Sequence, residues 1–342
     1  MNRHPRRHFL ASTIGSAVSL AVASAQRLEP AGDGAAGFKG ARCRVLPLPD
    51  YQTAVEYGGR EMLRWHFGAH YPRPFFYPFV GPSGVPLTRM GHPGAPDHDH
   101  HRSIWFAHRD VAGSDFWSEN TENRIRQKQW LCYEDGDDQA MMAVRLGWYA
   151  GTPARELMEQ TLVAILRPRE HGEQSLELQS TFVPTNEAVR LGKTNFGFLA
   201  VRVARSISEY FGGGRLRDSE GRETEAAIFG RRASWVDYSG PIRDATWEGI
   251  TYFDHPDNPG FPTQWHVRED GWMGASFCME EARTLQPGQP LRLRYLLHAH
   301  GGRVDAVRAA RIAEEFSRAP FFTVTPSKAK HRQFELDPGG SF

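Results

Sequence analysis

The chain has 342 residues, with 41 Lys and Arg against 40 Asp and Glu, a formal charge of +1 and 12% aromatic residues. A balance this near neutrality, with the signs mixed, argues against a general nucleic-acid-binding protein. The length allows one large all-β domain or two ordinary ones.

The N-terminus reads MNRHPRRHFLASTIGSAVSLAVASAQ. Arg6 and Arg7 stand ahead of Phe9 and Leu10, a weakly apolar run covers Ile14 to Ala23, and Ala23-Ser24-Ala25 offers a cleavage site before Gln26. The pattern predicts a twin-arginine signal over residues 1–25 and a periplasmic or secreted protein. The run is too short and too rich in Ala and Ser to span a bilayer, and no other segment is a candidate, so no transmembrane segment is expected after cleavage. Removing 25 of the 342 residues leaves 317, and losing Arg3, Arg6 and Arg7 takes the charge from +1 to −2. Residues 26–42, rich in Gly and Ala, read as a flexible lead-in.

The stretch HPGAPDHDHHRSIWFAHRDVAGSDFW, His92 to Trp117, holds five of the fifteen histidines. His92, His98, His100, His101 and His108 lie among Asp97, Asp99, Asp110 and Asp115 and between the large rings Trp105, Phe106, Phe116 and Trp117. Imidazoles and carboxylates set among apolar rings suit a site better than a solvated face. On an extended strand His98 and His100 share one face and His101 the other. Such a pair can contribute two ligands to a divalent metal, with a distant His, Asp or Glu completing the shell. It can also supply acid/base groups, or simply be hydrogen-bonded structure.

Strand signals dominate the rest of the chain. Leu176, Leu178, Ser180 and Phe182 alternate with Glu177, Gln179 and Thr181, the period of a half-buried strand, and Leu291 to Leu297 alternates likewise. Residues 143–149, 157–166, 198–204 and 246–253 are further candidates, separated by turn-like clusters. Arg190 to Asn195 offers a cation and an amide in Lys193 and Asn195, without the upstream glycine of a phosphate loop. Trp235, Asp237 and Tyr238 form another polar and aromatic group. DHPDNPGFPTQWHVREDGW, Asp254 to Trp272, gathers Asp254, His255, Trp265, His266, Arg268 and Asp270 around three prolines. Only residues 305–318 carry helical spacing. The pattern predicts a mainly β protein: a large antiparallel β-sandwich, supersandwich-like, with few helices, a single domain over residues 43–325 and a C-terminal tail over 326–342. Cys43, Cys132 and Cys278 cannot all pair, and none sits in a zinc pattern. There is no nucleophile elbow and no dinucleotide fingerprint.

Five ordered blocks resemble an exported bacterial family labelled the PmoA family, or methane oxygenase PmoA. They are RPFFYPFVGPSG, PDHDHHRSIWFAHRDVAGSDFW, LGKTNFGFLAVRVA, RRASWVDYSG and ITYFDHPDNPGFPTQWHVREDGW, spread over roughly Arg73 to His300. A segment nearer DTKEGG in that family is KTNFGF here. The resemblance implies a β-sandwich similar to galactose mutarotases and related sugar-binding domains.

Aromatics with His, Asp, Arg and Asn suit a sugar, since rings cover pyranose C–H faces and polar groups bind hydroxyls. The expected function is an exported carbohydrate-active enzyme of hydrolase, lyase or epimerase type, acting on a glycoside or sugar derivative. His98, His100, His101, His108, Asp254, His255 and His266 are the expected ligands or acid/base groups, and Arg102 the oxyanion binder. Trp105, Trp117, Lys193, Asn195, Asp237 and Trp265 are expected to bind the ligand, and His98 and His100 any metal. The His98 and Asp254 blocks are expected to meet in one cleft. The contrasting reading is a non-catalytic carbohydrate-binding protein. An oxygenase comes third, because a membrane-embedded oxygenase subunit needs spanning helices that the mature sequence lacks.

Overall fold

The computed structural model describes residues 40–92, 94, 98–243 and 246–340. The chain divides into a unit of Met1–Gly40 and a unit of Ala41–Phe342. The twin-arginine signal and nearly all of the lead-in lie outside the described residues.

The second unit is built from strands, as the alternation predicts. In chain order they are β1 (Cys43–Leu48), β2 (Gln52–Tyr57), β3 (Arg60–His66), β4 (Phe75–Phe79), β5 (Ile104–His108), β6 (Arg124–Glu134) and β7 (Ala140–Ala150). Next come β8 (Arg155–Pro168), β9 (Gln174–Pro184), β10 (Val189–Leu191), β11 (Gly197–Arg202), β12 (Arg215–Asp218) and β13 (Trp235–Arg243). The last are β14 (Thr246–Asp254), β15 (Trp265–Arg268), β16 (Trp272–Ala275), β17 (Arg283–Leu285), β18 (Leu291–Gly301), β19 (Phe321–Pro326) and β20 (Phe334–Gly340). Helices are few: α1 (Glu209–Gly212), α2 (Glu225–Ile228) and α3 (Ala306–Arg318).

Two eight-stranded antiparallel sheets carry the fold. One has the order β1-β2-β3-β4-β5-β11-β16-β15, the other β12-β13-β14-β18-β9-β8-β7-β6. Inward side chains of both, among them Phe79, Ile104, Phe106, Leu199 and Val201 from one and Trp148, Leu178, Phe182 and Leu297 from the other, form one apolar core. This is the sandwich arrangement. The three cysteines are buried and unpaired, and burial pushes their thiols up, Cys43 and Cys132 to about 11 and Cys278 to about 12. They pack as small apolar groups.

The second sheet is covered on both faces. β9 is not half-buried: its polar face is closed as tightly as its apolar one, with Glu177 and Gln179 each 1% exposed. The cover comes from the C-terminus. Asp305 caps α3 by accepting from the backbone of Val307 and Arg308, and Ala309, Ile312 and Phe316 pack on Trp235, Phe253 and Leu296. The helix therefore lies against a face of β13, β14 and β18. The tail is corrected too. β19 and β20 form a hairpin whose Phe322 and Leu336 pack on Leu131, Met141, Val163 and Ile165, so residues 326–340 belong to the folded unit. Their alternation is too brief to reveal the apolar sheet face they cover.

Candidate functional site

A cleft of about 350 Å³ opens on the outer face of the first sheet, where β5, β11, β16 and β15 lie side by side. Strand parity chooses its floor. Ile104, Phe106 and His108 point into the core, so Trp105 and Ala107 point out. Ala200 sits opposite Trp105 and Gly274, Arg202 opposite Trp272, and His266 opposite Gly274. The small residues leave the depression. A Cβ on Gly274 would meet the Trp272 ring at 3.1 Å.

The histidine loop hangs over this floor. It leaves at Met90 and returns at Arg102, which pair as a β-bridge, and Gly91 donates to the His101 carbonyl at 2.7 Å. Arg73, 1% exposed, holds it from beneath by donating to the carbonyls of His100 at 3.0 Å and Phe116 at 3.1 Å. His98 and His100 are not on a strand, because residues 98–100 form a turn. The turn gathers what a strand would separate. Ring centroids of His98 and His100 are 5.7 Å apart, and His101 lies 5.2 and 4.3 Å from them. His101 stacks on Trp105 at 5.6 Å and on Trp272 at 5.1 Å. Trp117 closes one side, oriented by the Asp115 carboxylate, which accepts from the backbone of Trp117 and Ser118. Its ring meets Trp272 at 5.1 Å and Phe196 at 5.2 Å.

His266 faces the loop from β15, between the rings of Phe196, Phe229 and Trp272. Its Nδ1 lies 3.0 Å from the Asn195 carbonyl, which only accepts, so Nδ1 carries the proton and Nε2 is the basic atom. Burial pushes its pKa down to about 4 against the Asn195 bond, and the imidazole is neutral at pH 7. His101 is also held neutral, by burial first and then by the charges of His100, Arg202 and His98.

Arg202 is fully buried yet lines the cleft. Its Nη1 donates to Asp270 at 2.7 Å, and the other Asp270 oxygen meets His92 Nε2 at 2.9 Å. Burial would raise the Asp270 pKa, but Arg202 and His92 outweigh it and keep the carboxylate ionised. Among the described residues Arg202 Nε and Nη2, Trp272 Nε1 and His101 Nδ1 are buried without a hydrogen-bond partner. An unmade bond at a buried donor costs about 1–3 kcal/mol, more at a charged one. At a cleft such donors can be met by a water or a ligand.

The expected site is thus partly assembled. His98, His100, His101, Trp117, Asn195 and His266 line the cleft, as do Arg268 and Asp270 from the Asp254 block. So does Trp272, which ends that block, whereas its residues before His266 do not. Asp254 is 4% exposed, its carboxylate accepting from Asn258 Nδ2 at 2.6 Å and the Thr263 backbone at 2.9 Å, and burial lifts its pKa to about 7. His255 lies against Phe316 of α3 and accepts from Arg294. Trp265, of parity opposite to His266, points into the core, where its Nε1 donates to the Ala233 carbonyl at 2.8 Å. The block meets the cleft only through its second half.

Five further expectations fail on geometry. His108 faces inward, stacked on Phe198 at 4.8 Å with Nε2 at the Gly192 carbonyl. Arg102 is engaged by Glu119 through two bonds of 2.7 Å and does not line the cleft. Trp105 lies under His101 at 1% exposure, leaving no face for a ligand. Asp237 belongs to the other sheet, where it accepts from Thr251 at 2.8 Å and pairs with His300 at 2.7 Å. Lys193 is exposed and does not line the cleft. For a metal at His98 and His100, no group of three His, Cys, Asp or Glu side chains suited to hold an ion exists among the described residues, and Asp97 lies outside them.

Sequence reasoning missed Arg202, Arg109, Phe196 and Trp272. Arg202 left one signal, a lone arginine closing the apolar strand GFLAVR. Buried arginines need partners, so an arginine there marks either an ion pair or a site.

A family of unknown function, DUF6807, matches residues 52–314. No curated protein matches the chain. Among solved structures, one described as a heparinase III, the BT4657 gene product with methylated lysines, is similar at 9% identity and a TM-score of 0.33, covering 87% of this chain. The similarity spans only 38% of that structure. No described helix is long and apolar enough to cross a membrane.

Proposed function

The chain belongs to DUF6807, a family of unknown function, and from its cleft we propose that it is an exported carbohydrate-active enzyme that transfers a proton on a bound glycoside or sugar derivative. One observation carries this reading. Three histidines of one loop and His266 of a strand far later in the chain converge on a single cleft walled by Trp117, Phe196 and Trp272. The size suits a small ligand, and the mixture of ring faces and polar groups suits a saccharide. His266 is the proposed general base. Its Nδ1 is tied to Asn195, its Nε2 is unprotonated at neutral pH and free to accept a proton from a bound substrate, and the surrounding rings fix its orientation. His98 and His100 stand across the cleft as the partners that return a proton. The Arg6-Arg7 signal supports a periplasmic or secreted setting for this chemistry, and loss of export on replacing both arginines by lysine is the expected result.

The test is a panel of glycosides and keto-glycosides with purified protein and His266→Ala. Turnover by the parent and its loss in the variant, with ligand binding retained, supports the enzyme. Binding without turnover in the parent establishes a carbohydrate-binding protein instead. No binding of any saccharide refutes both.

A further inference from the structure

We propose that Arg202, with Trp272 and His101, forms a carboxylate-binding subsite in the cleft, and that the ligand class is an acidic sugar, a uronic acid or its glycoside. The inference rests on the saccharide reading above and narrows it.

The geometry of the guanidinium is the first argument. Its Nη1 is taken by Asp270 at 2.7 Å. The two donors left without a partner among the described residues, Nε and Nη2, are the pair whose N–H bonds run parallel on one edge. That edge matches the two oxygens of a planar carboxylate. Asp270, itself bonded to His92, holds the group in place from the other side, so little side-chain freedom is lost on binding.

The neighbours supply the second. Trp272 is the ladder partner of Arg202, and its Nε1 is buried without a partner among the described residues. His101 stacks 5.1 Å from Trp272, and its Nδ1 is in the same state. Three cleft-lining side chains with unmade bonds at one end of the depression define a polar pocket.

Charge supplies the third. Arg89 lies close enough to Arg202 for the two to repel, and it donates to the Asp270 carbonyl at 2.9 Å. With Arg205, which also repels Arg89, and Arg109, which lines the cleft, these guanidinium groups outnumber Asp270 and leave a positive charge that suits an anion. At the rim Arg268 is already paired with Glu225 at 2.6 Å. The pyranose ring then extends from the carboxylate toward Trp117, Phe196 and His266.

The experiment is calorimetric titration at pH 7 with methyl glucuronide and methyl galacturonide, each beside its methyl ester and the neutral methyl glycoside. At least one acid is expected to bind tenfold or more tightly than its ester. Arg202→Lys, which keeps the charge but loses the fork, should weaken acid binding far more than ester binding and so remove that preference. Thermal melting of the variant checks its fold, and the acid-to-ester ratio in the unaltered protein tests the idea without any variant. Equal affinities for acid and ester overturn the carboxylate subsite while leaving the saccharide reading intact. Binding of inorganic sulfate or phosphate as tight as that of the acids overturns the acidic-sugar class. Failure of every saccharide, neutral or acidic, overturns the underlying reading together with the inference.

Discussion

Each sheet buries one arginine on its outer side, and the two are treated in opposite ways. Arg294 of β18 is 2% exposed and surrounded. Nε donates to Glu177 at 2.7 Å, Nη1 to the Ala319 carbonyl at 2.9 Å and to His255 Nε2 at 3.2 Å, and Nη2 to the Pro320 carbonyl at 3.0 Å. Arg202 of β11 is 0% exposed and has one such partner among the described residues, Asp270. Histidines and carboxylates accompany both. On the second sheet α3 and the C-terminal hairpin close over them. On the first a cleft lies open beside the described residues of the histidine loop. The residue types alone do not mark a site. The mark is a buried guanidinium that lines a cleft with two of its nitrogens unpartnered among the described residues.

Substitution breaks or sharpens this contrast. Arg294→Met leaves Glu177 with only Arg167 and Gln179 as polar partners among the described residues, and should cost about 3–5 kcal/mol in denaturant unfolding. Arg202→Lys should cost clearly less, because its fork has fewer bonds to lose. Equal losses in the two would erase the distinction between a structural arginine and a ligand-binding one.

Turnover should divide the same way. His266→Ala should lower kcat/KM by about 10²–10⁴, the usual contribution of a general base. Asp237→Asn should lower the thermal midpoint by weakening the His300 pair and leave turnover unchanged. An inactive Asp237→Asn that folds normally would move the chemistry to the second sheet.

Acid should destabilise both regions. Burial pushes His108, His255, His266 and His298 down to about 4, and pushes His101 down as well. The unfolded chain binds protons at these positions below about 6.5 while the folded chain does not. Their stability is therefore complete above about pH 6.5 and is lost as pH falls toward 4. Three groups run the other way, Glu209 among them, its carboxyl raised first by burial. Asp254, raised by burial to about 7, favours folding most at low pH and loses that contribution as pH rises through 7. Burial would lower His300, but Asp237 overcomes it and raises the imidazole, so its contribution is also fullest in acid. His66 and His92 are lowered by burial as well, and seven imidazoles outweigh three opposing groups, so the midpoint of urea unfolding should fall as pH drops from about 6.5 to about 4. A flat midpoint across that window would mean the imidazoles are not enclosed. Activity should fall in the same direction as His266 Nε2 takes up its proton near about pH 4.

The smallest effect concerns the floor. Gly274→Ala places a methyl 3.1 Å from the Trp272 ring, and overpacking of this size costs about 1 kcal/mol. Saccharide affinity should weaken a few-fold in titration with the fold intact. Unchanged affinity would mean the ligand does not reach this part of the cleft.

Much of the architecture is legible in order along the chain. Alternation locates β7, β8, β9, β11, β14 and β18, and helical spacing after Asp305 locates α3, because both patterns record which side of an element meets the core. The histidine block is legible as chemistry, since imidazoles crowded among tryptophans are hard to explain as a solvated face. Its geometry is not. Strand spacing pairs His98 with His100 and sends His101 the other way, whereas the turn at residues 98–100 brings all three rings together. Parity separates Trp265 from His266 and His108 from Trp105, but which parity faces the core depends on the opposing sheet.

The sequence by itself determined the class of fold, the place of α3 and the histidine-rich loop that bears the site. These follow from local periodicity and from residue types that have few other uses. Tertiary structure alone decided that Asp254, His255 and Asp237 are enclosed and paired while His266, Asp270 and Arg202 face the cleft. The reason is physical. Whether a charged side chain is structural or available depends on the partners and cover it finds, and here these come from β16, α3 and the C-terminal hairpin, segments distant in the chain that no local pattern connects.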